Sequence, residues 1–306
     1  MGAFILRRIF QGFLVVLGVT IVVFVATRLV GDPAKVMLPL SATDEQRAAF
    51  EHKFGLDRPI ADQFVTFVGD LATFDFGESM WQRRPAMDVV AGRLPNTLKL
   101  IAAGLGLAII LALPLGAIAA IRPGGIADRI TVFGGLFGLS LPQFWLGLLL
   151  IMLVAVKWRL LPTSGYGGWQ YFILPAITLA VPATARLMML VRSSVIDELN
   201  QQYVRTARAK GLRFSQVLFG HALRNAMVPF ITLAGWEFIS ALAGYTVVVE
   251  TVFAWPGLGL TAMQAIRHSD LFLLQAIVFT VAIGIVLVNI TLDVIYKLID
   301  PRIKLA

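Results

Sequence analysis

Six uninterrupted apolar runs decide what this chain can fold into. A bilayer's hydrocarbon core is about 30 Å thick, and about 20 predominantly apolar residues in a helix cross it. Runs of that length cover residues 9–30, 98–121, 132–156, 172–191, 227–249 and 271–296 of the 306. Backbone N–H and C=O groups find no water in hydrocarbon, so each run must pair its own backbone as a helix. The expected fold is an all-α integral membrane protein with six transmembrane helices. A charged fraction of 14%, against about 25% in soluble domains, excludes an ordinary globular enzyme. Arg7 and Arg8 precede the first run as they would in a signal peptide. That run is too long for one and closes on Thr27, Arg28 and Leu29 rather than on small residues, so it reads as a retained anchor.

Basic residues give the orientation. With the N-terminus inside, the cytoplasmic segments hold Arg7, Arg8, Arg122, Arg129, Arg192, Arg205, Arg208, Lys210, Arg213, Arg224, Lys297, Arg302 and Lys304. The short outer loops hold only Lys157, Arg159 and Arg267. The positive-inside rule then puts both termini in the cytoplasm. The loop at 31–97 carries ten acidic and seven basic residues, but loops so long translocate largely regardless of charge, and it is assigned to the outer side. Topology accounts for the net charge of +8. With no polar domain to present a basic surface, no nucleic-acid partner is expected.

Catalytic chemistry has little to stand on. Cysteine is absent, and His52, His221 and His268 are dispersed without a metal-ligand spacing. Neither the GxSxG elbow nor the phosphate-cradling GxxxxGK[ST] loop occurs. No enzyme active site, metal or cofactor is expected on this chain, and uphill transport would need energy from a partner.

Three ionisable residues fall inside apolar runs, where charge is costly and usually faces a bundle interior or a wet cavity. Arg186 and Asp293 lie near enough to the inner ends of their runs to snorkel to the interface. Glu237 is mid-run, and is either a buried carboxyl packed against a partner or part of a wet pathway. A proton relay in a secondary transporter would call for more buried carboxylates and an internal repeat, and neither is evident. Two small-residue ridges, Ala112-Gly116-Ala120 and Gly134 with Gly138, predict close helix crossings. Prolines 114, 142, 175, 182 and 229 lie within or beside runs, and Pro142, Pro175 and Pro229 are candidate pivots.

The long cytoplasmic segment at 192–226 contains a helix-forming run over 198–210 that stops at Gly211, then a second over 214–227 that leads to Pro229. Helix, glycine break and helix below the bilayer would make a projecting elbow. Its arginines suit an interfacial helix on anionic lipid. Its small residues Thr206, Ala207, Ala209 and Gly211 suit close approach by a cytoplasmic protein.

Within that elbow, YVRTARAKG at 203–211 and HALRNAMVP at 221–229 resemble the cytoplasmic loop signature of permease subunits of bacterial ABC importers, in the dipeptide, oligopeptide and nickel branch. FGLDRP at 54–59, DFGES at 75–79, RLPNTL at 93–98, SLPQFW at 140–145, ILPA at 173–176, VVETVFAWPGLG at 248–259 and DPR at 300–302 have the same family look, in order along nearly the whole chain. Two positions depart from the pattern. Arg205 stands where the general signature has glutamate, which puts that one docking contact in question. Residues 268–271 read HSDL where the branch commonly has Arg-Asp-Tyr-Pro, which alters part of the outer loop.

The resemblance implies a type I importer permease fold in the bacterial inner membrane, with 1–306 as a single transmembrane domain, 31–97 as a long periplasmic loop and 192–226 as a coupling loop. The partners it implies are a homologous second permease, two ATP-binding subunits carrying ATP and magnesium, a periplasmic solute-binding protein and the surrounding lipid. ATPase coupling is assigned to Tyr203, Arg205, Thr206, Ala207, Gly211 and Arg213. The cargo route is expected between the two permeases. On this side it would be lined by Gln143 and Trp145, which follow Pro142, and by Glu237 and Ser240, which share a helical face. The outer loop from Asp32 to Asn96, with its acidic excess and scattered aromatics, is assigned to docking of the binding protein. Peptides are the expected cargo. Nickel complexes, glutathione and opine- or sugar-like solutes remain open, and a proton-coupled secondary transporter is the alternative mechanism.

Overall fold

The computed structural model describes residues 2–29, 38, 41–53, 55 and 57–299. The motif at 300–302, Lys304, the start of the outer loop at Asp32, and Phe54 and Leu56 of the 54–59 motif lie outside the described residues. The elements run α1 (Gly2–Leu29), α2 (Asp44–Lys53), α3 (Ile60–Ala72), β1 (Glu78–Ser79), β2 (Arg84–Pro85), α4 (Ala86–Ile121), α5 (Ile126–Ser140), α6 (Gln143–Lys157), α7 (Gln170–Leu199), α8 (Gln202–Ala209), α9 (Phe214–Val252), α10 (Leu258–Arg267) and α11 (Leu271–Ile299). They divide between two compact units, Met1–Asn96 with Gly257–Ile290 and Thr97–Pro256 with Thr291–Ala306.

In the first unit much of the segment expected as a loop at 31–97 is ordered. It forms α2, α3, a two-stranded antiparallel hairpin with Glu78 opposite Pro85 and Ser79 opposite Arg84, and the opening of α4. The helix begins well ahead of the apolar run at 98 because Ala86, Val89 and Val90 fall at i, i+3 and i+4. That face is buried against Leu258, Ala265, Leu273, Ala276 and Ile277 of α10 and α11, so protein packing prolongs the helix ahead of the apolar run. Phe24 of α1 meets Phe64 of α3 edge-on at 5.2 Å. Gly12 of α1 lies against Val286 of α11, close enough that any side chain would collide.

The second unit is organised on α7. Ala108, Ala112 and Ala120 of α4 pack on Ala180, Ala183, Leu187, Met188, Val191 and Val195 of α7, with Leu218, Ala226 and Phe230 of α9 closing the core. The ridge Ala112-Gly116-Ala120 makes the close crossing it predicts: a Cβ on Gly116 would stand 2.6 Å from the Met188 carbonyl oxygen. The second ridge is shifted by one residue. Gly134 faces open space, while Gly135 meets Met189 and Gly138 meets Val181 and Ala185.

Among the described residues, five helices are long and apolar enough to cross a membrane, and α5 with α6 makes a sixth span if the bent pair is counted as one. The third run, 132–156, is broken beside Pro142, and the two helices meet at 98°. Pro142 has no N–H to donate and disfavours helical geometry in the residue before it. Leu141 accordingly takes φ −81, ψ 121 and Pro142 φ −59, ψ 133 before α6 begins. Pro175 and Pro182 in α7 and Pro229 in α9 do not end their helices. The helix α9 instead carries two π-helical stretches, Leu218–Ala222 and Ala241–Tyr245.

Candidate functional site

The elbow is built on the end of α7 and the start of α9. Helix α8 ends in a left-handed residue, Gly211 at φ +82. The Gly211 N–H donates to Arg208 O at 2.9 Å and the Leu212 N–H to Ala207 O at 3.3 Å. This is the paired-carbonyl closure of a Schellman motif, and its usual apolar contact is present. Leu212 packs on a small core of Val204, Ala207 and Val217. The Arg213 N–H then donates to Gln216 Oε1 at 2.9 Å as α9 starts.

Of the six residues assigned to coupling, Tyr203, Arg205, Thr206, Gly211 and Arg213 are exposed, whereas Ala207 is buried. The small size of Ala207 serves packing within the elbow, not approach by a partner. Gly211 is required by its backbone conformation, since a Cβ there meets nothing within 4 Å.

A polar clasp fixes α8 to its neighbours. The Tyr203 hydroxyl donates to Glu198 Oε2 at the end of α7, and Asn225 Nδ2 of α9 donates at 3.1 Å to both that carboxylate and the Tyr203 oxygen. Partial burial, then the bond to the Glu198 carboxylate, pushes the Tyr203 phenol up to about 12. It therefore remains a donor throughout the physiological range. The Arg208 guanidinium lies 5.6 Å over the Phe214 ring, bridging the glycine turn from the other side.

Two ion pairs tie α7 to other helices. Arg192 Nε bonds Asp128 Oδ1, and its Nη2 donates to Oδ2 at 2.9 Å. The same Oδ2 accepts the Gly124 N–H at 2.7 Å, so the start of α5 is held to the C-terminal part of α7. Deeper, Arg186 Nε bonds Glu237 Oε1 and its Nη2 donates to Oε2 at 2.8 Å, joining α7 to α9. Glu237 is 3% exposed, and the Arg186 guanidinium also sits 5.7 Å from the Tyr245 ring centre. Arg186 is thus directed at a buried counter-charge, not snorkelling to the interface. Asp293, near the end of α11, is buried as well.

The four residues expected to line a cargo route occupy two places. Gln143 and Trp145 open α6 just past the bend, Gln143 with a buried amide nitrogen that has no hydrogen-bond partner and Trp145 exposed. Glu237 and Ser240 lie on α9 immediately before its second π-helical stretch. The structure brings Glu237 together with Arg186, a pairing the sequence does not suggest.

Several polar residues were not singled out. Glu250 is fully buried and accepts from Thr97 Oγ1 at 2.7 Å, and Asp270, also buried, accepts from Ser79 Oγ at 2.5 Å. Their partners lie 153 and 191 residues away, so no local spacing announces them. Each of the four falls within a stretch already compared with the family pattern, and both acids stand at the borders of apolar runs.

Comparison with known proteins bears on this arrangement. A family described as binding-protein-dependent transport system inner membrane component matches residues 112–305, and its N-terminal counterpart matches residues 1–101. The oligopeptide transport system permease protein AppB of Bacillus subtilis (strain 168) is 36% identical over 316 residues, covering 99% of this chain and all of its own length. The glutathione transport system permease protein GsiC of Escherichia coli (strain K12) is 36% identical over 287 residues, 94% of each chain. An inward-facing structure of the MetNI methionine ABC transporter superposes with a TM-score of 0.59 at 18% identity, over 70% of this chain and 97% of that one. At that identity the likeness is one of fold.

Proposed function

The chain belongs to the family of binding-protein-dependent transport system inner membrane components, and on that premise we propose which of its parts meets which partner. It is the permease subunit of an ABC importer, a multi-pass inner-membrane protein that is not itself an enzyme, ATP being hydrolysed on a separate subunit. In our reading it pairs with a homologous second permease, two ATP-binding subunits that carry ATP and magnesium, and a periplasmic solute-binding protein. Both termini are cytoplasmic, as the basic residues favour. Residues 1–306 act as one permease domain, with 192–226 as the coupling segment and 31–97 on the periplasmic side.

The observation that carries the coupling assignment is the division of labour in the elbow. Val204, Ala207, Leu212 and Val217 satisfy its internal packing, leaving Tyr203, Arg205, Thr206, Gly211 and Arg213 exposed for an ATP-binding subunit. Closure of the ATP-binding subunits displaces α8. Clasps at Tyr203, Arg192 and Arg186 carry that displacement to α9 and α5, and Pro142 is the pivot at which α5 turns into α6. Pro175 and Pro229, inside continuous helices, are weaker pivots.

The cargo route runs along this chain's interface with the second permease, past Gln143, Trp145, Glu237 and Ser240. Glu237 meets a cargo amine only by exchange with Arg186, which keeps the contact weak and transient. Peptides are the cargo this reading favours, because one relative is named for oligopeptides and another for glutathione, itself a tripeptide.

The chain has no cysteine, so a single cysteine at Arg205 can be labelled without background. In the reconstituted transporter it should cross-link to an ATP-binding subunit, and proteoliposomes supplied with binding protein should accumulate labelled di- or oligopeptide on ATP addition. No cross-link in any nucleotide state refutes the docking. Accumulation of a nickel complex in place of peptide refutes the cargo.

A further inference from the structure

At the outer end of the first unit a buried acid is used to hold an exposed turn. Asp270 is 1% exposed. It accepts from Ser79 Oγ at 2.5 Å, the Trp81 N–H at 3.2 Å and the Leu273 N–H at 3.1 Å. Ser79 Oγ in turn accepts the Gln82 N–H at 3.0 Å, and the Arg83 N–H donates to Ser79 O at 2.8 Å. The Trp81 ring lies on the His268 ring with centroids 4.6 Å apart and planes 8° from parallel.

A buried carboxylate is costly unless donors surround it. Here two of its three donors come from the hairpin, so the group fixes a turn. The turn it fixes presents Met80, Trp81, Arg83 and Arg84 to solvent, with Arg267 and His268 beside them. A connection between α3 and α4 does not need such anchoring. Exposed tryptophan, methionine and arginine held rigid are the composition of an interface centre, and rigidity lowers the ordering penalty of binding.

The bilayer is a poor occupant. Helix α4 has 36 residues; at ~1.5 Å per residue it is about 54 Å long against a core of about 30 Å. Its first turns, joined directly to β2, therefore stand beyond the hydrocarbon. Charge singles out the tip as well: without Arg83 and Arg84 the loop at 31–97 holds ten acidic and five basic residues, from ten and seven.

We propose that the hairpin at 78–85, with Arg267 and His268, is the knob on which the periplasmic solute-binding protein docks through an acidic rim. This rests on the importer reading, whose family description itself requires such a partner. The contact is made by a basic and aromatic tip within an otherwise acidic loop.

The test uses the complete transporter in nanodiscs, with ATPase rate followed against the concentration of its periplasmic solute-binding protein. Trp81→Ala and Arg84→Glu alter exposed side chains only. Each should raise the half-maximal concentration at least about tenfold, as loss of one interface anchor does. The rate without binding protein should be unchanged, and Arg84→Glu should also flatten the salt dependence. Unchanged half-maximal concentrations in both variants overturn the proposal. So does loss of the second permease from the variant complexes, or an effect that follows anionic lipid content and not binding protein. A wild-type complex that the binding protein does not stimulate overturns the importer reading, and this inference with it.

Discussion

Gly211 allows the backbone role of the elbow to be separated from its partner role. It stands at φ +82, and a Cβ at that position would meet nothing within 4 Å. Replacement by alanine therefore carries the left-handed penalty of roughly 1–2 kcal/mol and no clash of its Cβ inside the chain. Such a penalty shifts the local closed-to-open ratio by about 5- to 30-fold. Its clearest reporter is the Leu212 amide, whose bond to Ala207 O closes the turn. Hydrogen exchange at that amide should quicken by that factor in Gly211→Ala. In Gly211→Asn it should quicken much less, because asparagine tolerates the left-handed region.

Gly211→Trp shares the backbone strain of alanine and adds an indole at an exposed position, where a docked subunit would meet it. At equal membrane abundance, uptake by the tryptophan variant should fall at least about tenfold below the alanine variant, the size of a 1.4 kcal/mol loss of docking. ATP hydrolysis should become independent of binding protein. Equal uptake by the tryptophan and alanine variants would falsify partner contact at this position. Equal exchange in the asparagine and alanine variants would remove the conformational argument.

Other expectations follow from the clasps. Glu237→Gln should lower uptake by leaving the Arg186 guanidinium without its counter-charge, and adding Arg186→Gln should recover abundance; a double variant as poorly inserted as the single one would show that the pair is not coupled. Exchanging the charges of Asp128 and Arg192 should restore only part of the ATP-to-transport ratio lost in Arg192→Asp, since an arginine at 128 cannot accept the Gly124 N–H, and full failure would show that the helix link carries no displacement. For Tyr203 the folded value near 12 exceeds the ordinary 10.0, so its clasp is intact below pH 10 and is lost as pH rises through about 12. Tyrosinate absorbance of the wild type minus Tyr203→Phe should titrate late, and a midpoint at 10 would remove the clasp. Labels on α6 and α9 should change separation with nucleotide state, and a fixed distance in both states argues against a pivot at Pro142.

What the sequence displays and what it conceals differ by the range of the interaction. Apolar length, the Gly211 stop and the ridge Ala112-Gly116-Ala120 are written within a few turns of chain, and each appears where local geometry puts it. The opening of α4 at Ala86 was concealed, because its burial depends on α10 and α11, more than 150 residues later in the chain. The prolines sharpen the point. Pro142 and Pro175 carry the same ring and the same missing N–H. Leu141 swings to an extended conformation and the chain turns, whereas Pro175 lies in the interior of α7 with Leu174 and Ala176 buried on either side. Ala207 makes the converse case. A small residue on a projecting helix looks like room left for a partner, yet the room is filled by Val204, Leu212 and Val217 of the same elbow. Surface available to another subunit is what remains after such internal demands are met. In this elbow that remainder includes Tyr203, Arg205, Thr206, Gly211 and Arg213, and docking should be tested first at these positions.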